Sequence, residues 1–226
     1  MEHLLSSYEA EGEAHFSANT QTPLRADAFL KTDEEKILAI SGHFAAIMEE
    51  LGLDLNDDSL RGTPYRVAKM YVKELFSGLN PANKPGISIF ENKYGYHQML
   101  IEQDIEFISA CEHHFLPMPG KAHIAYIPNG KVIGLSKINR IVKYYAKRPQ
   151  VQERLNKQIF RELQEVLNTS DIIVVITAQH MCVSMRGVED QSSRTTTISY
   201  GGKFEEKETR KDFFQMLNIG TDTLLR

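Results

Sequence analysis

The chain has 226 residues, of which 42% are hydrophobic and 25% charged, and its formal net charge is -4. A globule of this length buries roughly 70–75% of the surface of its unfolded chain, so it folds without disulfide staples. The net negative charge argues against a protein that coats nucleic acid or an anionic membrane. No apolar run approaches the roughly 18 residues of a membrane span. We therefore expect a cytoplasmic protein without nucleic-acid or membrane partners, whose two cysteines are reduced.

The first 31 residues show no sustained periodicity and are interpreted as an N-terminal arm that precedes one α+β domain over residues 32–226. Thr32 and Glu35 have the spacing of a capping box, which predicts a helix that starts there. Gly52 is the predicted end of this helix. Apolar residues recur at three- and four-residue spacing along it and form the predicted inward face: Ile37, Ile40, Phe44, Ile47, Met48 and Leu51.

A second helix is predicted to start at Thr63-Pro64, as N-cap and first helical residue, and completes an N-terminal helical part over residues 32–80. One face of this helix is apolar and the other is basic. The basic residues are Arg66, Lys69 and Lys73. From spacing alone, the simplest interpretation of this basic stripe is a solvated helix face.

Residues 86–204 form the predicted core of the domain, in which short alternating or β-branched runs indicate an antiparallel sheet. Asn129-Gly130 lies between two apolar runs and predicts a hairpin. Pro149 interrupts a helical pattern over 138–167 and predicts two helices. An amphipathic helix over 205–218 closes the domain, giving an α+β fold. The predicted strands are 87–90, 99–107, 121–128, 132–135, 171–178, 183–186 and 194–200.

Each cysteine has a histidine nearby, in the runs Cys111-Glu112-His113-His114 and Gln179-His180-Met181-Cys182. Thiolate and imidazole are preferred zinc ligands, so the two runs predict one metal site that the fold closes. Neighbours in an extended segment point to opposite sides, so His113 and His114 should not both bind the metal. Cys111 and His114 have the spacing of a chelating turn, which leaves His113 for proton transfer. Three protein ligands are typical of a catalytic zinc site, whereas structural sites usually have four. The simpler alternatives are two buried thiols or a disulfide.

Candidate anion-binding residues lie where a strand runs into a helix. Ser136, Lys137 and Arg140 place a hydroxyl, an ammonium and a guanidinium near a helix N-terminus, which is a common way to bind phosphate. Arg186 follows Cys182 by four residues and would add a cation near the metal. Gln152 and Glu153 follow the helix break, where a carboxylate could accept two N–H bonds from guanine. Spacing alone favours the simpler interpretation, because the helix dipole favours glutamate in a first turn.

Four of these motifs together closely resemble GTP cyclohydrolase I. They are C-E-H-H at 111–114, G-L-S-K-I-N-R at 134–140, R-P-Q-V-Q-E-R at 148–154, and H-x-C at 180–182 followed by R-G at 186–187. The resemblance runs from about residue 38 to residue 204. It implies the tunnelling fold, with antiparallel sheets of several subunits joined into a barrel, and a toroidal homodecamer with active sites at subunit interfaces. It also implies hydrolysis and rearrangement of GTP to 7,8-dihydroneopterin triphosphate and formate, the first step toward tetrahydrofolate or tetrahydrobiopterin.

The resemblance also implies a role for each candidate residue. Zn²⁺ would be held by Cys111, His114 and Cys182. The proton-transfer groups would be His113 and His180, with Ser136 as a further acid near the sugar. The triphosphate would be bound by Lys137, Arg140 and Arg186 together with Ser136, Arg66 and Lys69. Guanine would be recognised by Gln152 and Glu153, in place of the simpler interpretation of that pair.

Two alternatives remain open from the sequence. The first is another tunnelling-fold enzyme, such as a nitrile reductase acting on a deazaguanine, in which the cysteine is a nucleophile and zinc is not needed. The second is a non-enzymatic oligomer that binds guanine nucleotides and is stabilised by zinc. The second requires a closed site with four ligands, whereas the motifs supply three.

Overall fold

The computed structural model describes the backbone of residues 20–223 and the side chains as far as Leu217. Residues 1–19 of the predicted arm and the last three residues of the predicted domain lie outside the described residues. Among the helices that are described, none has both the length and the apolar character needed to cross a bilayer.

The N-terminal part is a helix pair that begins with the predicted capping box. Helix α1 spans Asp33–Glu50; the amide of Glu35 donates to Thr32 Oγ1 at 3.2 Å, and the amide of Thr32 donates to Glu35 Oε2 at 2.7 Å. Gly52 ends this segment in the left-handed region, with φ of +81°. Helix α2 spans Thr63–Met70 with Gly62 at the N-cap, one residue before the predicted cap. The helix then continues as a π-helical turn, Tyr71–Leu75, and two short 3₁₀ turns, Ser77–Leu79 and Pro81–Asn83.

The predicted inward face of α1 is only partly buried. Ile37 and Met48 are buried, but 52% of Ile47 and 73% of Leu51 are exposed. In the described structure α1 packs mainly on α2. Contact with a single helix covers only part of the apolar face of α1. The prediction was wrong for Ile47 and Leu51.

The core is one five-stranded sheet, in the order β5-β2-β3-β6-β7, beside a two-stranded ribbon of β1 and β4. All pairings are antiparallel except that of β5 with β2. The strands of the described residues are β1 Ile89–Glu91, β2 Leu100–Cys111, β3 Pro117–Tyr126, β4 Lys131–Ile133, β5 Pro149–Gln150, β6 Ile172–Ala178 and β7 Thr195–Tyr200.

Helices α3, Leu135–Ala146, and α4, Gln152–Leu167, cover one face of this sheet. The break between them falls at Pro149, as predicted. Their apolar faces pack with β2, β3 and β6 into the main core, whose buried members include Ile138, Ile141, Leu155, Ile159, Leu163, Val174 and Ile176. A short helix α5, Met181–Ser184, follows β6, and helix α6, Lys207–Thr223, closes the chain. The predicted α+β architecture with N-terminal helices is confirmed.

Two local predictions were wrong. Asn129-Gly130 does form a turn, with φ of +74° at Gly130, but β4 pairs with β1 and not with β3. Strand β3 is already paired on both edges, with β2 and β6, and therefore has no free edge for β4. The run 183–186 is not a strand: the amides of Val183 and Ser184 donate to the His180 carbonyl, and the chain is helical there. Short apolar runs do not distinguish helix from strand.

Candidate active site

The first histidine cluster lies in a tight turn at the end of β2. The amide of Phe115 donates to the Cys111 carbonyl at 2.8 Å, and the amide of Cys111 donates to the Leu116 carbonyl at 2.9 Å. Phe115 has a φ of +55°, so the chain reverses within one turn. The reversal brings His114 back toward Cys111, the chelating arrangement that the C-x-x-H spacing predicts.

The second cluster reaches the same place from the end of β6. Strands β2 and β6 run in the same direction on either side of β3, so their carboxyl ends meet at one end of the sheet. The amide of Gln179 donates to the Pro119 carbonyl at 3.0 Å, and α5 follows at once with Cys182. The donor atoms of Cys111, His114 and Cys182 all lie within 4.8 Å of one another.

This donor set fits a zinc ion. Zinc is bound at about 2.3 Å by thiolate and about 2.0–2.1 Å by imidazole, so its ligand atoms lie roughly 3.3–3.8 Å apart in a tetrahedron. The three donors require only a small closure to reach these distances. The pKa of the Cys182 thiol is raised, first by burial and then by the charge and hydrogen bond of Cys111. Two neighbouring thiolates oppose each other unless a cation lies between them, which is what zinc supplies.

His113 and His114 are neighbours in this turn and not in an extended segment, so the argument from strand alternation does not apply to them. The assignment of His113 to proton transfer stays a prediction. The two histidine rings are inclined at 74° with centroids 6.3 Å apart. His113 Nδ1 lies 3.6 Å from Cys111 Sγ, so His113 stays beside the cluster. The Nε2 atom of His114 lies 2.8 Å from Nη1 of Arg186, which places this cation against the metal ligands.

His180 and its partner Gln152 form the second polar group of the site. His180 Nε2 lies 2.9 Å from Gln152 Oε1. Burial lowers the pKa of His180, and the nearby charge of Glu153 partly opposes this shift. Gln152 is only 1% exposed, whereas its neighbour Glu153 is exposed. The two residues that the resemblance links to guanine therefore lie in different surroundings.

Three of the predicted anion-binding residues, Ser136, Lys137 and Arg140, are not near this cluster within one chain. Asn139 Nδ2 donates to Glu102 Oε1 at 2.9 Å, so the N-terminus of α3, with Ser136, Lys137 and Arg140, lies beside the start of β2. Glu102 and Cys111 are nine residues apart on this strand, which at about 3.3 Å per residue is roughly 25–30 Å. Within one chain, the predicted phosphate-binding residues at the start of α3 therefore lie far from the predicted metal ligands.

Arg66 and Lys69 lie on α2, on the side of the molecule that approaches the β2 turn. Beyond α2, Tyr71 and Phe76 place their rings 6.5 Å and 5.1 Å from the ring of Phe115, next to His114. Arg66 donates to Thr63 Oγ1 and the Ser59 carbonyl, and both basic residues are exposed.

The structure adds residues that the sequence did not indicate. Glu112 forms a bidentate ion pair with Arg154, whose side chain is 7% exposed. A cavity of about 370 Å³ lies over His113. Its wall includes the described end of the arm: Thr22, Pro23 and Leu24 join Leu79, Glu112, His113 and Pro149. No local motif marks these contacts, because they join residues far apart in the sequence.

Comparison with known proteins accounts for this arrangement. The family model of GTP cyclohydrolase I matches residues 40–218. GTP cyclohydrolase 1 of Flavobacterium johnsoniae is 55% identical over 210 residues, which cover 93% of this chain and 94% of that protein. The enzyme of the same name from Aeromonas hydrophila is 52% identical over 209 residues, with 92% of each chain covered. This chain belongs to the GTP cyclohydrolase I family.

Family membership confirms the tunnelling fold and agrees with a Cys-His-Cys zinc site formed by Cys111, His114 and Cys182. It also argues against the nitrile reductase alternative. Among solved structures, the archaeosine synthase QueF-Like in the apo form aligns with 47% of this chain and 94% of that chain, with a TM-score of 0.35 and 16% identity. This similarity is too low to carry an argument.

Proposed function

We propose that this chain is a zinc-dependent GTP cyclohydrolase I that converts GTP and water to 7,8-dihydroneopterin triphosphate and formate. The observation that supports it most directly is the convergence of Cys111, His114 and Cys182 within 4.8 Å in a chain of this family. Among the described residues, this group offers three donors and no fourth His, Cys, Asp or Glu. A three-donor set favours a reactive metal over a structural one. When bound, zinc acts as a Lewis acid that makes water acidic enough to give hydroxide near pH 7.

His113 and His180 are the proposed proton-transfer residues. Opening the imidazole ring of guanine requires addition of water at C8 and a proton for the ring nitrogen that leaves. His113 follows Cys111 by two residues and its Nδ1 lies 3.6 Å from Cys111 Sγ, and His180 precedes Cys182 by two residues. That neither histidine binds the metal stays a prediction. A positioned general acid or base contributes typically 10²–10⁴-fold to the rate.

Glu153 is the proposed guanine-recognition residue. It is exposed at the start of α4, close enough to His180 for its charge to oppose part of the lowering of the His180 pKa by burial. Guanine presents two parallel N–H donors on one edge, which match the two oxygens of a carboxylate. The guanine contact that the resemblance implies for Gln152 stays a prediction, and its deep burial points to a different role.

Ser136, Lys137 and Arg140 are the proposed triphosphate-binding residues, supplied by a neighbouring subunit. The start of α3 lies roughly 25–30 Å along β2 from Cys111, which is farther than the length of a nucleoside triphosphate allows for one chain. A second copy of the chain must therefore complete each site, as in the homodecamer that the resemblance implies. Arg186, and the exposed Arg66 and Lys69, would complete the cationic surface. We also propose a cytoplasmic location, because thiols remain reduced there.

The proposed function is tested by incubating the purified chain with GTP and measuring formate and the fluorescent pterin formed after oxidation. We expect both products in equal amounts and loss of both after treatment with a chelator, restored by Zn²⁺. The His113→Ala variant should retain zinc and GTP binding but fail to open the ring. Full turnover after complete metal removal would refute the zinc mechanism, and no product from the zinc-loaded chain would refute the activity.

A further inference from the structure

Gln152 is a deeply buried polar side chain that touches the proposed active site. It is the first residue of α4 and is 1% exposed. Its side-chain nitrogen donates to three acceptors on the adjoining strands: the Ile176 carbonyl at 3.1 Å, the Thr195 carbonyl at 3.0 Å and Thr197 Oγ1 at 3.2 Å. These bonds fix the side chain between α4 and strands β6 and β7.

The same bonds determine which way the amide faces. Two of the three partners are backbone carbonyl oxygens, which only accept hydrogen bonds, so the NH₂ group must face them. The amide oxygen of Gln152 then faces Nε2 of His180 at 2.9 Å. An amide oxygen only accepts, so Nε2 of the neutral imidazole must carry the hydrogen. The second ring nitrogen, Nδ1, is left with the lone pair.

Among the described residues, the helix cap at His180 does not use this second nitrogen. His180 is the N-cap residue of α5, yet its side chain does not form the cap hydrogen bond of that helix. The amides of Val183 and Ser184 donate to the His180 backbone carbonyl instead. The ring is therefore held from one side, through Nε2, beside the ligand Cys182.

We propose that Gln152 is a positioning residue, which holds His180 in the Nε2–H tautomer and leaves Nδ1 as the nitrogen that exchanges a proton with the substrate. The role of Nδ1 rests on the proposed function, whereas the tautomer itself does not. This assignment separates Gln152 from Glu153. Glu153 is exposed and contacts the nucleotide, and Gln152 acts through His180.

Asn156 provides a matched control on the same helix. It lies one turn after Gln152, is 1% exposed, and its side-chain nitrogen donates to the Val174 and Thr197 carbonyls of the same two strands. Among the described residues its side-chain oxygen has no hydrogen-bond partner, so it does not reach a histidine. Replacing Asn156 therefore removes the same kind of buried contact without touching His180.

The direct test is the tautomer of His180 in the zinc-loaded, full-length enzyme. Solid-state ¹⁵N spectra of sedimented enzyme with labelled histidine report which ring nitrogen is protonated, and a His180→Ala spectrum assigns the signal. We expect protonated Nε2 in the wild-type enzyme and in Asn156→Leu, and a mixture or the Nδ1–H form in Gln152→Met. A wild-type His180 protonated on Nδ1 alone would overturn the proposal.

Kinetics provide the second measurement. We expect Gln152→Met to lower kcat by about 10- to 100-fold with KM for GTP changed less than about threefold. Asn156→Leu should lower the unfolding temperature comparably but retain kcat. If Gln152 contacts guanine instead, its loss raises KM and reduces the preference for GTP over ATP, and the His180 spectrum does not change. If the proposed function is wrong, the wild-type enzyme forms no pterin, yet the tautomer result stands.

Discussion

Cys182 is the residue on which the metal site depends, because it is the one ligand that comes from outside the β2 turn. Without it, Cys111 and His114 form a two-donor chelate, which is too few for a stable zinc site. We expect Cys182→Ala to lose its zinc and to lower turnover by roughly three orders of magnitude or more, since neutral water is then the only nucleophile. Metal content by mass spectrometry of the purified protein, beside the GTP assay, measures both effects.

Met185→Ala is the control for this substitution. Met185 directly follows α5 and is 62% exposed, so its truncation should leave zinc content and turnover unchanged. A Cys182→Ala protein that still holds one zinc per subunit would contradict the ligand assignment.

Glu153 is expected to determine the base specificity. Its carboxylate can accept two N–H bonds from guanine, and adenine has no matching pair of donors on that edge. Hydrogen bonds to a charged group contribute about 1.5–3 kcal/mol, so Glu153→Ala should lower kcat/KM for GTP by about 10- to 100-fold and leave the low activity on ATP unchanged. Competition between the two nucleotides measures the preference. Lys157→Ala, an exposed residue one turn further along α4, is the control, and an unchanged preference in Glu153→Ala would refute the assignment.

At the residue scale, the sequence predicted what depends on local geometry. The C-x-x-H spacing predicted the approach of His114 to Cys111, because both residues lie within one turn. The partners of Glu112 and Gln152 were not predictable. Arg154 lies 42 residues from Glu112, and His180 lies 28 residues from Gln152. Such pairs are brought together by β5 lying beside β2 and by α4 packing on β6, which the local pattern does not encode.

At the scale of elements, Gly78 joins the N-terminal helices to the core. Its amide donates to the Lys147 carbonyl at 2.9 Å, and its carbonyl accepts from Nε of Arg148 at 2.8 Å. The Arg148 guanidinium lies over the rings of Tyr144 and Tyr145 at 4.7 Å and 4.6 Å. The end of α3 and the start of β5, which lies against Cys111, are thereby tied to the segment after α2.

The contact of Gly78 with the end of α3 leaves no room for a side chain. A Cβ at Gly78 would lie 2.0 Å from the Tyr144 carbonyl oxygen and 2.8 Å from that of Lys147. Both obstacles are backbone atoms, so the two segments would have to separate, at a cost of about 1–3 kcal/mol or more. For a subunit of this size each kcal/mol shifts the unfolding temperature by about 2–4 °C. We expect Gly78→Ala to lower that temperature measurably in a calorimetric scan.

Gly42→Ala is the control for Gly78→Ala, and we expect it to have the opposite effect on the unfolding temperature. Gly42 lies inside α1, and nothing lies within 4 Å of the position a Cβ would take. Alanine is favoured over glycine in a helix by about 0.5–1 kcal/mol, so this substitution should raise the unfolding temperature slightly. Equal effects of the two substitutions would show that the close contact at Gly78 does not limit stability.

The elements that the sequence predicted best are those whose signals are local. The capping box of α1, the break at Pro149 and the buried β6 strand all follow from residues within one turn or one strand. The pairing of β4 was missed because the Asn129-Gly130 turn fits a hairpin equally well. β4 cannot pair with β3 because β2 and β6 already occupy both edges of β3. The order of strands in the whole sheet therefore decides the pairing of β4.

At the scale of the whole molecule, a single subunit holds the two proposed half-sites at opposite ends of β2. The zinc ligands, His113 and His180 lie at its carboxyl end, and Lys137 lies near Glu102 at its start. The sheet also has an exposed edge strand, β7, and edge strands readily pair with another chain. A closed ring of identical subunits would bring the start of one β2 to the end of the next.

This separation predicts that two inactive variants restore each other. Lys137→Ala should lose triphosphate binding, and Cys182→Ala should lose zinc, so homo-oligomers of either variant are inactive. In mixed oligomers, made by co-expression with different affinity tags, some sites combine an intact Lys137 from one subunit with an intact Cys182 from its neighbour. Random assembly at equal amounts gives about a quarter of the sites with both residues intact, so we expect about a quarter of wild-type activity.

Mixing His113→Ala with Cys182→Ala should restore nothing, because both residues belong to the same half-site of one chain. No recovery in the first mixture would show that each site is built within a single subunit. Recovery in the second mixture would show that His113 and Cys182 of one site come from different subunits.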